Sequence, residues 1–289
     1  MKRSGPPIWM WILAVVLACV IIGLVLLLIR GNGQTSTQSA PTAVSGRIAT
    51  ATAPPVVGKS APAATPPAAA KATLSPTQPG SFPALATKPQ PHESTFQGCP
   101  PDGDDNSTGL NQLKNRDDNA ASYYSVAFDT FLHLPTPDGV GRKQRANFTT
   151  AQKTEVAKYE GVPVVVEGYL AGSRAEGPES TNCHGSDADM VDFHVWFTGG
   201  ANGDRAQSVV VEVTPRIRAQ HPAWTTAALG QIVKNDNKVR ISGWSMLDQE
   251  HPEQLGQTRG TLWEIHPIMQ IEVQDGGKWI TLDEYAKKK

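Results

Sequence analysis

Residues 208–246 read SVVVEVTPRIRAQHPAWTTAALGQIVKNDNKVRISGWSM, and the order of elements within them decides the fold class. The opening run, 208–214, puts Val209, Val211 and Val213 on one face and Val210, Glu212 and Thr214 on the other, the period of a strand. Pro215 has no N–H to give a ladder and ends the run. His221-Pro222 opens a segment with Pro in its first turn and Leu229, Ile232 and Val233 as an apolar stripe, so a helix is expected over 221–234. Residues 238–246 return to strand formers. The stretch is strand, helix, strand, and the fold depends on what flanks it.

Two strands precede it. Residues 162–170 (VPVVVEGYL) are β-branched, with Pro163 near the start where it costs little. Residues 190–197 (MVDFHVWF) alternate strictly: Val191, Phe193, Val195 and Phe197 face one way, Asp192, His194 and Trp196 the other. One strand follows, over 261–273. In it Leu262, Glu264 and His266 share a face, Trp263 and Ile265 take the other, and Pro267 marks a bulge or bend. The expected fold is mainly β: a five-stranded OB-like Greek-key barrel with one helix between strands 3 and 4. Gly168 and Gly243 lie inside the first and fourth strands, where a small closed barrel must bend. Upstream, TTAQKTEVAKYE predicts a short helix ending at Gly161, whereas residues 125–134 show no clean period and read as an irregular or strand-like lead-in.

The rest of the chain is built differently. Residues 8–29 are apolar or small and uncharged, long enough for the ~20 residues that a bilayer helix needs. Lys2 and Arg3 precede this run, which ends LLIRG without a small-residue cleavage site, so an uncleaved single-pass anchor is expected, residues 1–7 forming a cytoplasmic stub. Residues 30–96 are rich in Ala, Thr, Pro and Ser and read as a disordered tether that holds the folded part away from the membrane. Residues 97–160 form an N-terminal extension of the folded domain and 161–289 the barrel, both extracytoplasmic. From residue 97 on there are 19 Lys and Arg against 26 Asp and Glu, a balance of −7, which argues against nucleic acid as partner. Cys99 and Cys183 are the two exported cysteines, and in an oxidising compartment a disulfide between them is expected, metal ligation by Cys183 beside His184 being the alternative.

The combination of Leu110-Asn-Gln-Leu-Lys-Asn-Arg116, Asn182-Cys-His184, Asp192-Phe-His-Val-Trp196, Glu212-Val-Thr-Pro-Arg216 and Arg259-Gly-Thr-Leu-Trp-Glu-Ile-His-Pro267 resembles a group of uncharacterised bacterial membrane-anchored envelope proteins with an OB-fold-like C-terminal domain. The resemblance covers roughly residues 97–289 and implies the barrel without implying an activity.

In OB barrels ligands meet strands 2 and 3 and the loops joining strands 1 to 2 and 4 to 5. Here those loops are 171–189 and 247–260, both rich in acids and histidines. The ligand face is therefore expected where they converge with the outer side of 190–214, away from the 221–234 helix. Its candidate residues are His184, Asp192, His194, Trp196, Glu212, Arg216, His251, Arg259, Glu264 and His266. His194 reads either as a ligand or general base beside Asp192 and Glu212, or as a half-exposed sheet histidine. Trp196, Trp244 and Trp263 form an aromatic platform or close a barrel end. Arg216 and Arg259 grip an anion or pair with Glu212 and Glu264. Glu264 and His266 belong to a polar rim. No cofactor is expected beyond a divalent cation, for which carboxylates suit Ca²⁺ or Mg²⁺ and imidazoles with a carboxylate or thiolate suit Zn²⁺; the spacing matches no standard metal motif. The expected function is a non-catalytic extracytoplasmic module binding an envelope protein or a saccharide. The alternative is a metal-assisted hydrolase of a phosphoester or envelope polymer, for which no nucleophile elbow, phosphate loop or HExxH is present.

Overall fold

Valine-rich runs that bury both faces need partners on either side, and the strands find them by closing on themselves. In the computed structural model, which describes Phe82 and residues 95–288, the elements in chain order are α1 (Thr108–Lys114), β1 (Tyr124–Val126), α2 (Phe128–Leu132), α3 (Thr150–Val156), β2 (Pro163–Ala175), β3 (Phe193–Thr198), β4 (Val209–Val213), α4 (Pro215–Arg218), α5 (Thr226–Lys234), β5 (Lys238–Leu247), β6 (Trp263–Asp275), β7 (Lys278–Thr281) and α6 (Leu282–Lys287). Strands pair as β2–β3–β4–β6–β5, and β5 returns to β2, which closes a five-stranded barrel. Every pairing in the ring is antiparallel except β4–β6, which is parallel. The helix expected between the third and fourth strands is present as α5, preceded by the single turn α4.

Closure depends on β2, which pairs with β5 over Pro163–Tyr169 and with β3 over Tyr169–Ala175. Its register shifts between Leu170 and Gly172, and at Gly168 a Cβ would overlap the Thr198 carbonyl oxygen and the Phe197 ring. On the neighbouring strand β5, two register shifts flank Gly243, where a Cβ would overlap the Pro267 carbonyl oxygen. The bend expected at Pro267 is thus shared between two strands, and His266-Pro267 is a cis peptide. The core lies inside this ring: Val164, Val166, Val195, Phe197, Val209, Val211, Ile241, Trp263, Ile265 and Ile271 are fully buried there, and Leu229 and Ile232 of α5 cover one end. Each such side chain contributes on the order of 1.5–3 kcal/mol on leaving water.

Several boundaries differ from expectation. α5 begins at Thr226, not at His221, because Thr225 takes the N-cap and its side chain accepts from the Ala228 N–H; Pro222 stays in the preceding loop. α3 ends at Val156, before Gly161. The lead-in is a strand and a helix: β1 adds to β2 in parallel and α2 follows. β7 pairs with β6, and α6 starts with a capping box between Thr281 and Glu284. Phe82, within the expected tether, packs against the core with its ring 5.6 Å from Tyr159 and 6.4 Å from Phe131. The expected stub, the expected anchor and the rest of the tether before residue 95 lie outside the described residues. Among the described residues no helix is long and apolar enough to cross a membrane.

Candidate functional site

Period two along β3, β4 and β6 sends Phe193, Val195, Val209, Val211, Trp263 and Ile265 into the core and leaves the alternate residues on the outside of the barrel. The register then brings the polar ones together, since His194 stands opposite Glu212 and Val210 opposite Glu264. On an open barrel this face would be wet. Here the N-terminal extension lies over it. α1 turns Leu110, Asn111, Lys114 and Asn115 inward, a spacing that marks one helical face. Asn115 Nδ2 donates to the Thr181 carbonyl at 2.7 Å, and Arg216 donates to Asn115 Oδ1 at 3.2 Å and to the Cys99 carbonyl at 2.9 Å. Cys99 is disulfide-bonded to Cys183, which joins the start of this cover to the loop after β2.

Beneath the cover is a continuous polar network. Glu176 Oε1 lies 3.1 Å and Glu212 Oε1 3.6 Å from His194 Nδ1. Glu212 Oε2 lies 3.7 Å and Glu264 Oε2 3.3 Å from His266 Nδ1. Arg259 Nη1 bridges Glu264 Oε1 at 2.8 Å and Asp248 Oδ2 at 2.7 Å, and Asp248 Oδ2 also meets His251 Nδ1 at 2.7 Å. Asn182 Nδ2 donates to Asp192 Oδ1 at 3.2 Å. Lys114 Nζ caps the assembly, 3.1 Å from Glu250 and 3.6 Å from Glu179. Asp192, Glu264 and His266 are each no more than 2% exposed.

Burial of this much charge shifts its protonation. Burial, with the charge of Glu179, pushes Asp192 up to about 7. Burial and the neighbouring Asp248 push Glu264 up to about 7 as well, and burial with Glu264 and Asp192 nearby holds Glu212 well above the carboxylate range. Burial and the Lys114 charge bring His266 down to about 3, so its imidazole is neutral. Burial alone would lower Lys114, but Glu179, Glu250 and Asp248 outweigh it and raise the ammonium well above its usual value. Burial would raise Asp248, yet the His251 bond and the Arg259 charge win and hold it well below the usual range. The network is thus organised around the cations Lys114 and Arg259.

His251 gives a pH-dependent expectation. Its hydrogen bond to Asp248 raises it above 6.5. A histidine raised on folding stabilises fully below its unfolded value, and that stabilisation is lost as pH rises through the folded value. The side chain is 42% exposed, so the effect is screened and of the order of a few tenths to about 1 kcal/mol. Unfolding midpoints of wild type and His251→Asn, measured from pH 5.5 to 8.5, should differ most at the acid end and converge at the alkaline end. A gap that does not change with pH would mean that the pair contributes nothing through titration.

The expected site residues divide into those the network holds and those it does not. Asp192, His194, Glu212, Arg259, Glu264 and His266 are in it, with His251 at its edge. Arg259 pairs with Glu264, and Arg216 reaches the extension through its bonds to Asn115 and the Cys99 carbonyl. Glu264 and His266 are buried under the extension and do not form an exposed rim, and His194, at 5% exposure, is no half-exposed sheet histidine. Trp196 packs beside His194 with Arg205 over its ring at 3.9 Å. Trp263 and Trp244 are core residues whose indole N–H groups donate to the Pro135 and Asp118 carbonyls, so the three tryptophans share no platform. His184 stands apart, exposed and 3.5 Å from Asp104. The outer side of 190–214 is therefore not an open ligand face, because 99–118 occupies it. Lys114 and Glu176 were not among the expected residues. Lys114 was detectable in principle: with Leu110 and Asn111 it lies on one helical face.

At the edge of the cover, where the 247–260 loop meets the extension, an open cleft of about 520 Å³ remains. Arg142, Lys143, Arg145, Gln144 and Gln249 line it; Glu250, the acid in its wall, is paired with Lys114, Arg142 with Glu253 and Arg145 with Glu160, each arginine at 2.7 Å. The volume falls in the ~300–1,000 Å³ range of small-ligand clefts. No family model, no curated protein and no solved structure matches the chain.

Proposed function

We propose that residues 97–289 are an OB-like binding module, held outside the membrane by an anchor at 8–29 with the N-terminus cytoplasmic, and that the module binds an acidic envelope saccharide without acting on it. The OB-like reading is supported by the ring order, by the parallel pairing of the third and fifth barrel strands and by the helix between the third and fourth. The anchor rests on the uncharged apolar run and the Lys2 and Arg3 that precede it. The observation that carries the ligand class is the cleft: in a domain with a balance of −7, Lys143, which forms no ion pair among the described residues, stands there beside Arg142, Arg145 and carboxamides, the groups that hold sugar hydroxyls and carboxylates. With Arg142 and Arg145 matched by Glu253 and Glu160, Lys143 supplies the charge that draws a carboxylate, at short range because salt screens the more distant acids within about 8–10 Å.

The hydrolase reading has no comparable support. Of the residues it would use, Asp192, Glu212 and His194 are buried beneath the extension, and His251, 42% exposed, is held by its bond to Asp248. The overall acidity also argues against nucleic acid as the anion.

The test uses the full chain in detergent and two oligosaccharides, one with carboxylates and the other its carboxyl-reduced, neutral counterpart. The charged form should bind, the neutral form should bind at least tenfold more weakly, and Arg142→Glu with Lys143→Glu should remove binding of the charged form. Equal binding of the two sugars, or binding indifferent to the reversal, would defeat the proposal.

A further inference from the structure

The buried network contains a group that the proposed saccharide binding does not use. One ligating atom each from Asp192, Glu212 and His266 lie within 4.8 Å of one another, and all three residues are buried. They come from the lead into β3, from the centre of β4 and from β6, so neighbouring strands hold them on a closed barrel with little freedom to separate.

Two further atoms point the same way. Asp192 Oδ2 and His266 Nε2 are buried without a hydrogen-bond partner among the described residues, and so is His194 Nε2. An unmet buried acceptor costs about 1–3 kcal/mol, and native proteins keep few of them. His266 Nδ1 faces both Glu264 at 3.3 Å and Glu212 at 3.7 Å, so the carboxylates fix the ring's orientation, and Nε2 is the ring nitrogen without a partner. The Glu176 carboxylate, 3.1 Å from His194 Nδ1, places His194 in the same arrangement. The neighbouring cations are directed elsewhere, Lys114 to Glu250 and Glu179 and Arg259 to Asp248 and Glu264.

We propose that Asp192, Glu212 and His266 bind one divalent transition-metal ion, with Zn²⁺ as the natural probe, and that the ion cross-links the outer faces of β3, β4 and β6 beneath the N-terminal extension. Two carboxylates with an imidazole favour such an ion over Ca²⁺ or Mg²⁺, which prefer an all-oxygen shell. The burial of all three residues makes the ion structural and slow to exchange. This site is independent of the saccharide cleft and stands or falls separately.

The experiment takes the full chain, tag-free and in detergent, strips it with chelator and titrates it with Zn²⁺, Mg²⁺ or Ca²⁺. One Zn²⁺ per chain should bind and raise the unfolding midpoint, with Mg²⁺ and Ca²⁺ at least tenfold weaker. Asp192→Asn and His266→Gln should each weaken Zn²⁺ at least tenfold, whereas His184→Gln, at an exposed histidine, should not. X-ray absorption of the Zn²⁺-loaded wild type, which does not depend on variants folding, should show imidazole nitrogen in an otherwise oxygen shell and no sulfur. Failure of the stripped wild type to bind Zn²⁺, binding that survives both substitutions, binding lost with His184, or a sulfur-containing shell would each overturn the proposal.

Discussion

Replacing Arg259 with Met should destabilise the domain by about 3–5 kcal/mol, the usual cost of removing one partner from a buried ion pair. The guanidinium is 1% exposed and bridges Asp248 at 2.7 Å and Glu264 at 2.8 Å, so its loss leaves two carboxylates facing each other out of reach of water. Its Nε also donates to Gln254 Oε1 at 3.2 Å, which fixes the 3-10 turn at Pro252–Gln254. Asp248 sets the sign of the pH dependence. Burial raises it, but His251 and Arg259 prevail and depress it, so its contribution is present above about 3.8 and lost as pH falls through its lower folded value. In the variant the Arg259 share of that contribution is gone. Wild type and variant should therefore keep their full difference at pH 7 and approach each other only well below 3.8, toward about pH 2. Urea unfolding at both values measures this, and adding Glu264→Gln to Arg259→Met should recover part of the loss through the coupling of the pair. A penalty below about 1 kcal/mol, or no coupling, would show that the network relaxes to let water reach the acids.

The barrel was readable because its determinants are local. Alternation over 190–197 and 208–214 places the same side chains inward that the core contains, and a helical stripe with Leu229 and Ile232 between two strands leaves few ways to close the ring. Boundaries were less readable where two local signals compete. Pro222 and Thr225 both announce a helix start, and the cap at Thr225 prevails because its hydroxyl satisfies an otherwise orphaned N–H. β1 is three residues long and exists only as a partner of β2, which no window around it reveals. The Thr281–Glu284 box of α6, by contrast, is a local signal, Thr followed three residues later by Glu.

For the site, period two identified the outward polar residues of β3, β4 and β6, but not that they would be buried. Burial there depends on the cover, whose contacts span the chain: Lys114 reaches Glu250 across 136 positions and Arg216 reaches Cys99 across 117. Reading loops as exposed and sheet faces as wet then makes Glu264 and His266 a rim. A lysine on the inward face of a short helix, reaching Glu250 and Glu179 on two separate loops, is the kind of pairing that only the assembled fold displays.

Removing the Cys99–Cys183 bridge, by Cys99→Ser with Cys183→Ser, should destabilise the domain by about 4–5 kcal/mol in the chain-entropy model, since the bridge closes a separation of 84 residues. The loss should also be uneven. The bridge fastens the first residues of the cover to the loop that carries Thr181 and Asn182, and these accept from Asn115 and donate to Asp192 respectively. Without it, the cover is held by Arg216, Asn115 and Lys114, each of which needs the others in place to stay dry. Local opening of 99–118 and 180–184 should then cost much less than global unfolding. Hydrogen exchange on the double variant should show the largest acceleration in those two segments and the smallest in β4 and β5, deep in the ring. If exchange accelerates uniformly, the bridge acts only on the unfolded chain and the cover is held independently. If stability falls by less than about 1 kcal/mol, the cover does not depend on the bridge at all, and sealing of the Glu212–His266 face must be assigned to the ion pairs of Lys114 and the hydrogen bonds of Arg216.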